Sequence, residues 1–191
     1  TGVDFQHPEL NVIGGVNCTL DGITGSTCYT GGDDDHYHGT HVAGTVAALD
    51  NGDGVVGVAP GARLWAVKVL NKRGSGYSSW IIAGIDWVAA HADTIEVANM
   101  SLGGAISPSL DNAVANASIN GVYFTIAAGN DGADANNYSP ARVNGPFIYT
   151  ISATDSTDTM PYWSNYGNPP VDYAAPGVNI LSLRAGGGGV I

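Results

Sequence analysis

Basic residues are scarce in this chain: six Lys and Arg stand against 17 Asp and Glu, which gives a net charge of -11 over 191 residues. Nucleic acids and anionic membranes are therefore poor partners, because binding phosphate needs the opposite charge. Long apolar runs are also missing, since none approaches the roughly 18 residues that a membrane span requires. With 44% apolar and 12% charged residues, the chain is still too apolar for disorder. Its length suits one domain.

Cysteine is equally scarce, with only Cys18 and Cys28, ten positions apart in a Gly/Thr/Ser-rich stretch. The spacing excludes a CxxC redox or zinc motif. A local disulfide would imply an oxidising, extracellular compartment, whereas two free thiols in a cytosolic loop are the alternative. The low Lys content and the acidity also suit a secreted protein, so we favour the disulfide.

The two ends of the sequence lack the usual features of domain ends. The chain starts at Thr1 with no basic and apolar leader, so no signal peptide is visible. It finishes with a glycine run followed by Val190 and Ile191. We interpret both ends as cuts through a longer chain.

Apolar spacing predicts strands that alternate with helices after a loop-rich region at residues 1–37. The predicted helices cover 38–49, Ser78 or Ser79 to His91, and Ser107 or Ser109 to Asn120–Gly121. The predicted strands cover 64–70, 95–100, 122–127, 148–153 and 171–175. Because each strand is nearly all apolar, the pattern predicts an α/β fold whose parallel sheet is covered by helices on both faces.

Acidic and imidazole side chains are densest at residues 33–41, which read DDDHYHGTH. One interpretation is a metal site, although HExxH is absent and His38 and His41 at i, i+3 make a mediocre pair. A second is a solvated acidic loop that leads into a helix. The third places His38 at a helix N-terminus, with Gly39 and the small residues behind it allowing close packing.

The third interpretation is favoured because residues 38–45, HGTHVAGT, resemble the histidine signature of the subtilisin-like serine peptidases, the subtilase or S8 family. Further stretches resemble the family in the same order along the chain, at residues 1–3, 7–10, 57–60, 74–76, 101–104, 127–130, 137–141, 163–167 and 175–182. The resemblance implies the subtilisin-like three-layer fold, with a mostly parallel sheet and helices on both faces.

The resemblance also implies a serine endopeptidase of broad specificity that hydrolyses proteins or peptides through a Ser/His/Asp triad. In it, His38 would be the general base and Asn130 would donate its amide to the oxyanion. An edge segment that pairs with the substrate backbone and one wall of the primary specificity pocket complete the implied site. These substrate-binding residues are Gly74, Ser75 and Gly76 for the edge, and Ser101, Leu102, Gly103 and Gly104 for the wall.

Two members of the triad are not in this sequence. The family's aspartate directly precedes the Thr-Gly that is here Thr1-Gly2, and its serine motif would begin a few residues beyond Ile191. We therefore expect residues 1–191 to be a partial catalytic domain that is inactive alone. The alternative is a non-catalytic subtilase relative, a binding or scaffold protein, which the retention of His38 and Asn130 disfavours.

Calcium is the cofactor that the resemblance implies, in a structural role. Residues 50–54 do not fit an EF-hand, because the spacing fails and no Glu closes the loop. They match the family's calcium loop, for which an acidic surface turn is the alternative. The implied ligands are the carbonyls of Leu49, Asp53 and Val55, the side chain of Asn51, and the carboxylate of Glu9, where the family usually has Asp. A secreted monomer, made with an N-terminal propeptide, is expected as well.

Overall fold

The computed structural model describes residues 1–20, 22–186 and 189–191. Helices and strands alternate through most of it. The elements are β1 Val12–Asn17, β2 Tyr29–Thr30, α1 His38–Ala47, β3 Leu64–Lys68, α2 Ser78–Ala90, β4 Val97–Met100, α3 Pro108–Ile119, β5 Tyr123–Ala127, a 3-10 turn Ala135–Asn137, β6 Ile148–Thr154 and β7 Val171–Pro176. The chain groups into two units, Thr1–Gly84 with Leu181–Ile191, and Ile85–Ile180. Within the described ranges, no helix combines the length and apolarity needed to cross a membrane.

The first unit contains a three-stranded sheet in the order β2-β1-β3. β1 runs parallel to β3, and β2 pairs antiparallel with the other edge of β1. Neither β1 nor β2 was expected in the loop-rich region, because two glycines in β1 lower its apparent strand propensity. Those glycines allow close packing instead. A Cβ on Gly14 would lie 2.4 Å from the ring of Trp65, and one on Gly15 would lie 2.6 Å from the Ala66 carbonyl oxygen.

Helix α1 packs through its small residues, which confirms the helix predicted from residue 38. Its buried face consists of Thr40, Ala43, Gly44 and Ala47. A Cβ on Gly44 would lie 2.5 Å from the Ser182 hydroxyl oxygen, so this helix touches the 181–191 segment directly. Ala43 also joins a buried apolar cluster with Leu10, Ala48 and Leu183. This packing fixes the axis of α1 and therefore the location of its first residue.

The second unit contains four parallel strands in the order β4-β5-β6-β7. The predicted strands in this region are confirmed to within two residues at each end, and α3 packs against β5 as an α/β fold requires. Met100 of β4 lies in register with Ile126 of β5. The carboxyl ends of these two strands are therefore adjacent, and the loops that follow them start from the same edge of the sheet.

Candidate active site

His38 is the first residue of α1, where backbone amides have no partner within the helix. Side chains from elsewhere in the first unit accept these hydrogen bonds. The Gly39 amide donates to the Thr1 hydroxyl oxygen at 2.8 Å, and the Thr40 amide donates to the Asp34 carboxylate at 2.9 Å. The backbone that follows His38 is thus held by two side chains, one nearby in the sequence, Asp34, and one 38 positions from Gly39, Thr1.

The two residues after His38 are needed for packing and capping. A Cβ on Gly39 would lie 1.8 Å from the Gly2 carbonyl oxygen, so no larger residue fits. Thr40 is fully buried, and its hydroxyl donates to Asp34 at 2.7 Å while accepting from the Asp4 amide at 3.0 Å. The Gly and Thr of the signature therefore connect the N-terminal segment to the start of α1.

The electrostatic environment keeps the His38 imidazole neutral. Burial lowers the pKa of His38, the His36 imidazole lowers it further, and the Asp34 carboxylate opposes them. Burial raises the pKa of Asp34, but hydrogen bonds from Thr40, His36 and Thr1 outweigh burial and hold that pKa below its usual value. A neutral imidazole next to an ionised carboxylate can accept a proton near neutral pH.

Lys68 is a buried cation that sequence reasoning did not single out. It lies at the end of β3, with its side chain 4% exposed. Its ammonium donates to the Thr1 carbonyl oxygen and to the Asp35 carboxylate, the latter at 2.6 Å. Lys68 therefore fixes Thr1, whose hydroxyl in turn accepts from the amide next to His38. Its only sequence signal is a lone charge in an apolar strand.

The predicted substrate edge, Gly74 to Gly76, forms a tight turn after β3. The Gly74 amide donates to the Asn71 carbonyl at 2.9 Å, and the Asn71 amide donates to the Ser75 carbonyl at 2.8 Å. A Cβ on Gly74 would lie 3.1 Å from Nε2 of His36. The structure thus places this turn against the residue two positions before His38.

Asn130 lies in the loop that follows β5, in the second unit, and is exposed. A neighbouring residue that sequence reasoning did not single out, Asn165, shapes this loop and is fully buried. The amides of Asp131 and Ala133 donate to Oδ1 of Asn165 at 2.8 and 3.0 Å, and its Nδ2 donates to the Ala128 carbonyl at 3.0 Å. The backbone on both sides of Asn130 is therefore fixed by one side chain.

The predicted pocket wall, residues 101–104, follows β4 in the same unit. Gly104 and Ser139 exchange two backbone hydrogen bonds, at 2.9 and 3.1 Å, and Asn99 donates to the Ser101 hydroxyl at 2.9 Å. Because β4 and β5 end side by side, this wall and the Asn130 loop extend from the same edge of the sheet. Ligand sites in parallel sheets collect at this edge.

Four of the predicted calcium ligands, Glu9, Leu49, Asn51 and Asp53, are linked by hydrogen bonds in the first unit. Nδ2 of Asn51 donates to both carboxylate oxygens of Glu9, at 3.2 and 3.1 Å, and Oδ1 of Asn51 accepts from the Asp53 amide at 3.0 Å. The Leu49 amide donates to the Glu9 carbonyl at 3.1 Å, and Val55 packs against the nearby apolar cluster. Over residues 1–20, 22–186 and 189–191, no group of three His, Cys, Asp or Glu side chains is placed to hold a metal ion.

Cys18 and Cys28 are joined by a disulfide. Cys18 follows β1 directly, is fully buried, and donates its amide to the Lys68 carbonyl at 2.9 Å. Cys28 lies immediately before β2. The bond therefore closes the connection between two paired strands in the first unit.

Comparison with known proteins identifies the class to which this fold and site belong. The profile of the Subtilase family (Peptidase_S8) matches residues 1–189. A subtilisin-like protease of Coccidioides posadasii is 44% identical, over 98% of this chain and 45% of that protein. Subtilisin E of Bacillus subtilis is 42% identical, over 98% of this chain and 47% of that protein. The crystal structure of a cold adapted subtilisin-like serine proteinase matches all of this chain and 66% of its own, with 41% identity and a TM-score of 0.84.

The chain belongs to the subtilase family. This confirms the family resemblance and the subtilisin-like α/β fold expected from the sequence. The chain spans less than half the length of the two curated relatives described above.

Proposed function

We propose that this chain is the central part of a subtilisin-like serine endopeptidase domain, with His38 as its general base and Asn130 as its oxyanion donor. One observation carries the proposal: His38 stands at a helix N-terminus, with the amides after it capped by side chains and its pKa lowered mainly by burial. Such rigidity and neutrality are what a general base requires. Membership of the subtilase family supports the same assignment.

In the proposed reaction, His38 removes the proton from a serine hydroxyl as its oxygen attacks the substrate carbonyl carbon. The carbonyl oxygen becomes an oxyanion, which accepts a hydrogen bond from the Asn130 amide. His38 then gives the proton to the leaving amine. In the second half of the reaction, His38 removes a proton from a water molecule that attacks the acyl-enzyme, and then returns the proton to the serine oxygen. We propose that the serine follows Ile191 and that an aspartate precedes Thr1 in the parent protein.

We propose that the substrate is a protein or peptide bound in an extended conformation. The turn at residues 74–76 has the small residues that let a substrate backbone pair along it, as strand addition to an exposed edge requires. The wall at residues 101–104 has two glycines, and a Cβ on Gly104 would meet no atom within 4 Å. Open space beside bare backbone suits substrate side chains of varied shape, and hence broad specificity.

We infer that the parent protein is secreted and acts as a monomer released from an N-terminal propeptide. The Cys18–Cys28 disulfide supports an oxidising compartment. Secretion and the propeptide otherwise rest on the family resemblance.

We propose a structural calcium ion at the loop around Asn51. The donor set fits, because calcium prefers oxygen ligands and the Glu9 carboxylate already faces the Asn51 amide. Turning that amide would present its oxygen beside the carboxylate, with the carbonyls of Leu49, Asp53 and Val55 completing the site. The bound ion would supply stability and no chemistry.

The test compares two proteins: residues 1–191 alone, and the same chain extended by its natural flanking sequence through both missing motifs. Each is treated with a fluorescent serine-directed phosphonate and a chromogenic peptide anilide at mildly alkaline pH. The extended chain should label and cleave, and the short chain should do neither. An extended chain that is folded but unreactive would support a non-catalytic binding protein. Stoichiometric labelling of the short chain would mean that the nucleophile is one of its own serines.

A further inference from the structure

The residue immediately before His38 has a strained backbone. Tyr37 has φ 135° and ψ -32°, outside the regions that non-glycine residues ordinarily occupy. Among the described residues, the other non-glycine residues with positive φ are Phe147, Asp158 and Asn179, whose φ of 64°, 59° and 55° is close to the left-handed helical value. Strain of this kind persists only where surrounding contacts hold it.

The side chain of Tyr37 does not supply those contacts. Tyr37 is 50% exposed, and its ring stacks on the His36 ring at a centroid distance of 4.4 Å. Both rings belong to the same short turn, so their stacking contact moves with the turn; outside it, the His36 ring lies against the turn at Gly74. Tyr37 also makes no side-chain hydrogen bond as the residue that precedes α1.

The Asp34 carboxylate does hold the turn, from both sides of His38. Its Oδ1 accepts from the amides of His36 and Tyr37 at 3.0 and 3.1 Å. Its Oδ2 accepts from the amide and hydroxyl of Thr40 at 2.9 and 2.7 Å. One carboxylate therefore connects the strained residue to the fully buried Thr40, and His38 lies between these two anchor points.

A third contact ties the same carboxylate to the N-terminal segment. The Thr1 hydroxyl donates to Oδ1 of Asp34 at 2.8 Å while it accepts from the Gly39 amide at 2.8 Å. Asp34 thus accepts five hydrogen bonds, and its pKa is held below the usual value, so the carboxylate is ionised at neutral pH. Charge-assisted hydrogen bonds of this type are stronger than neutral ones.

We propose that Asp34 is a positioning residue for His38: its carboxylate holds the strained Tyr37 turn and so fixes the orientation of the His38 imidazole. The inference rests on the proposed role of His38 as general base. It predicts a specific interaction between two residues, because the need for Asp34 should diminish when the strain at Tyr37 is removed. Glycine removes it, since glycine adopts positive φ without steric cost.

The experiment uses the extended chain described above, as wild type, Asp34→Ala, Tyr37→Gly and the double variant. Asp34→Ala should lower kcat by about 10- to 100-fold with KM little changed, because a small misplacement of a catalytic group has effects of this size. Tyr37→Gly alone should have little effect, and in the double variant it should restore most of the lost kcat. Asp33→Ala is the matched control, because Asp33 is an exposed neighbour whose carboxylate accepts from the Phe5 amide, at 3.3 Å, and from no amide of the Tyr37 turn within the described residues.

Thermal unfolding gives a readout that does not depend on activity. Tyr37→Gly should change the Tm of wild type more favourably than that of Asp34→Ala, because the turn keeps its strain in wild type and relaxes once the Asp34 carboxylate is gone. If Asp34→Ala does not fold, Asp34→Asn replaces it, because asparagine keeps one acceptor oxygen and loses the other.

Two results would overturn the proposal. The first is a folded Asp34→Ala enzyme whose kcat equals that of Asp33→Ala. The second is a loss of kcat that Tyr37→Gly does not reverse, or a change in Tm on Tyr37→Gly that is the same with and without Asp34, since Asp34 would then act by some route other than the strained turn. A wild-type extended chain without activity would contradict the proposed function instead, and the Tm comparison would still decide whether Asp34 holds the turn.

Discussion

Replacing Asn165 with alanine should reduce catalysis through Asn130, although the Asn165 side chain hydrogen-bonds to Ala128, Asp131 and Ala133 rather than to Asn130 itself. Asn165 makes three side-chain hydrogen bonds to the loop at residues 128–133. Its packing is equally close, because a Cβ on Gly129 would lie 2.4 Å from its Nδ2. Alanine at position 165 removes the three hydrogen bonds and leaves space next to Gly129, so the loop can move.

The size of both effects follows from these contacts. Three hydrogen bonds at about 1 kcal/mol each give a loss of about 3 kcal/mol in the free energy of unfolding. The loss in kcat has an upper limit, because disordering the loop cannot cost more than removing the Asn130 amide itself. That removal costs about 10²–10³ in kcat, the size typical of oxyanion donors in subtilisins among other enzymes. We therefore expect Asn165→Ala to lower kcat by more than about tenfold and less than this limit.

A double-mutant cycle with Asn130→Leu distinguishes this indirect role from general damage. If Asn165 acts through Asn130, Asn165→Ala should cost little further kcat once the amide is gone. Asn136→Ala is the control, because Asn136 hydrogen-bonds to Asp134 and Pro169 rather than to the loop around Asn130. Additive losses of kcat in the double variant would refute the reasoning, as would an effect confined to KM.

The remaining predictions concern the extended chain. His38→Ala should abolish turnover while the circular dichroism spectrum stays unchanged, and kcat above a few per cent of wild type would contradict its role as the base. Asn130→Leu should lower kcat by about 10²–10³ with KM little changed, whereas a change in KM alone would indicate substrate binding. Calcium at a hundredfold excess over Kd should add about 2.7 kcal/mol of stability, and Asn51→Ala should shrink the calcium-dependent rise in Tm unless the ion lies elsewhere. Asp34→Asn removes a negative charge that raises the pKa of His38, so the acidic limb of kcat/KM should move to lower pH, and a move to higher pH would contradict this.

Most helices and strands of the fold could be predicted because their sequences carry the expected period. α2 and α3 show apolar residues three and four apart, and the strands of the second unit are short and almost wholly apolar. β1 could not be predicted, because Gly14 and Gly15 have little intrinsic preference for strands. Their use becomes clear only when Trp65 and Ala66 are seen packed against them. Strand propensity is a property of a single residue type, whereas the formation of β1 depends on its packing against the adjacent strand β3.

The parts of the candidate site differ in the same way. His38 and Asn130 were identified because they stand in short local patterns that resemble a family. The residues that hold them in place act across the sequence: Lys68 reaches Thr1 over 67 positions, and Asn165 reaches Asp131 over 34. No local pattern encodes such distances. A lone Lys or Asn in an apolar or loop segment has many possible partners until the fold selects one.

Gly39 and Gly129 are both required because a neighbouring segment approaches their backbone closely. The glycines in these short sequence patterns therefore reflect packing around the proposed catalytic residues. Gly39 follows His38, and Gly129 precedes Asn130. A Cβ at either position would collide with another segment of the same unit, at 1.8 Å for Gly39 and 2.4 Å for Gly129. The colliding atoms belong to Gly2 and Asn165, which help to fix the adjacent backbone. Close approach is therefore the means by which each proposed catalytic group is held. Substituting either glycine should lower the rate by displacing the His38 or Asn130 side chain, because the reacting groups themselves would still be present.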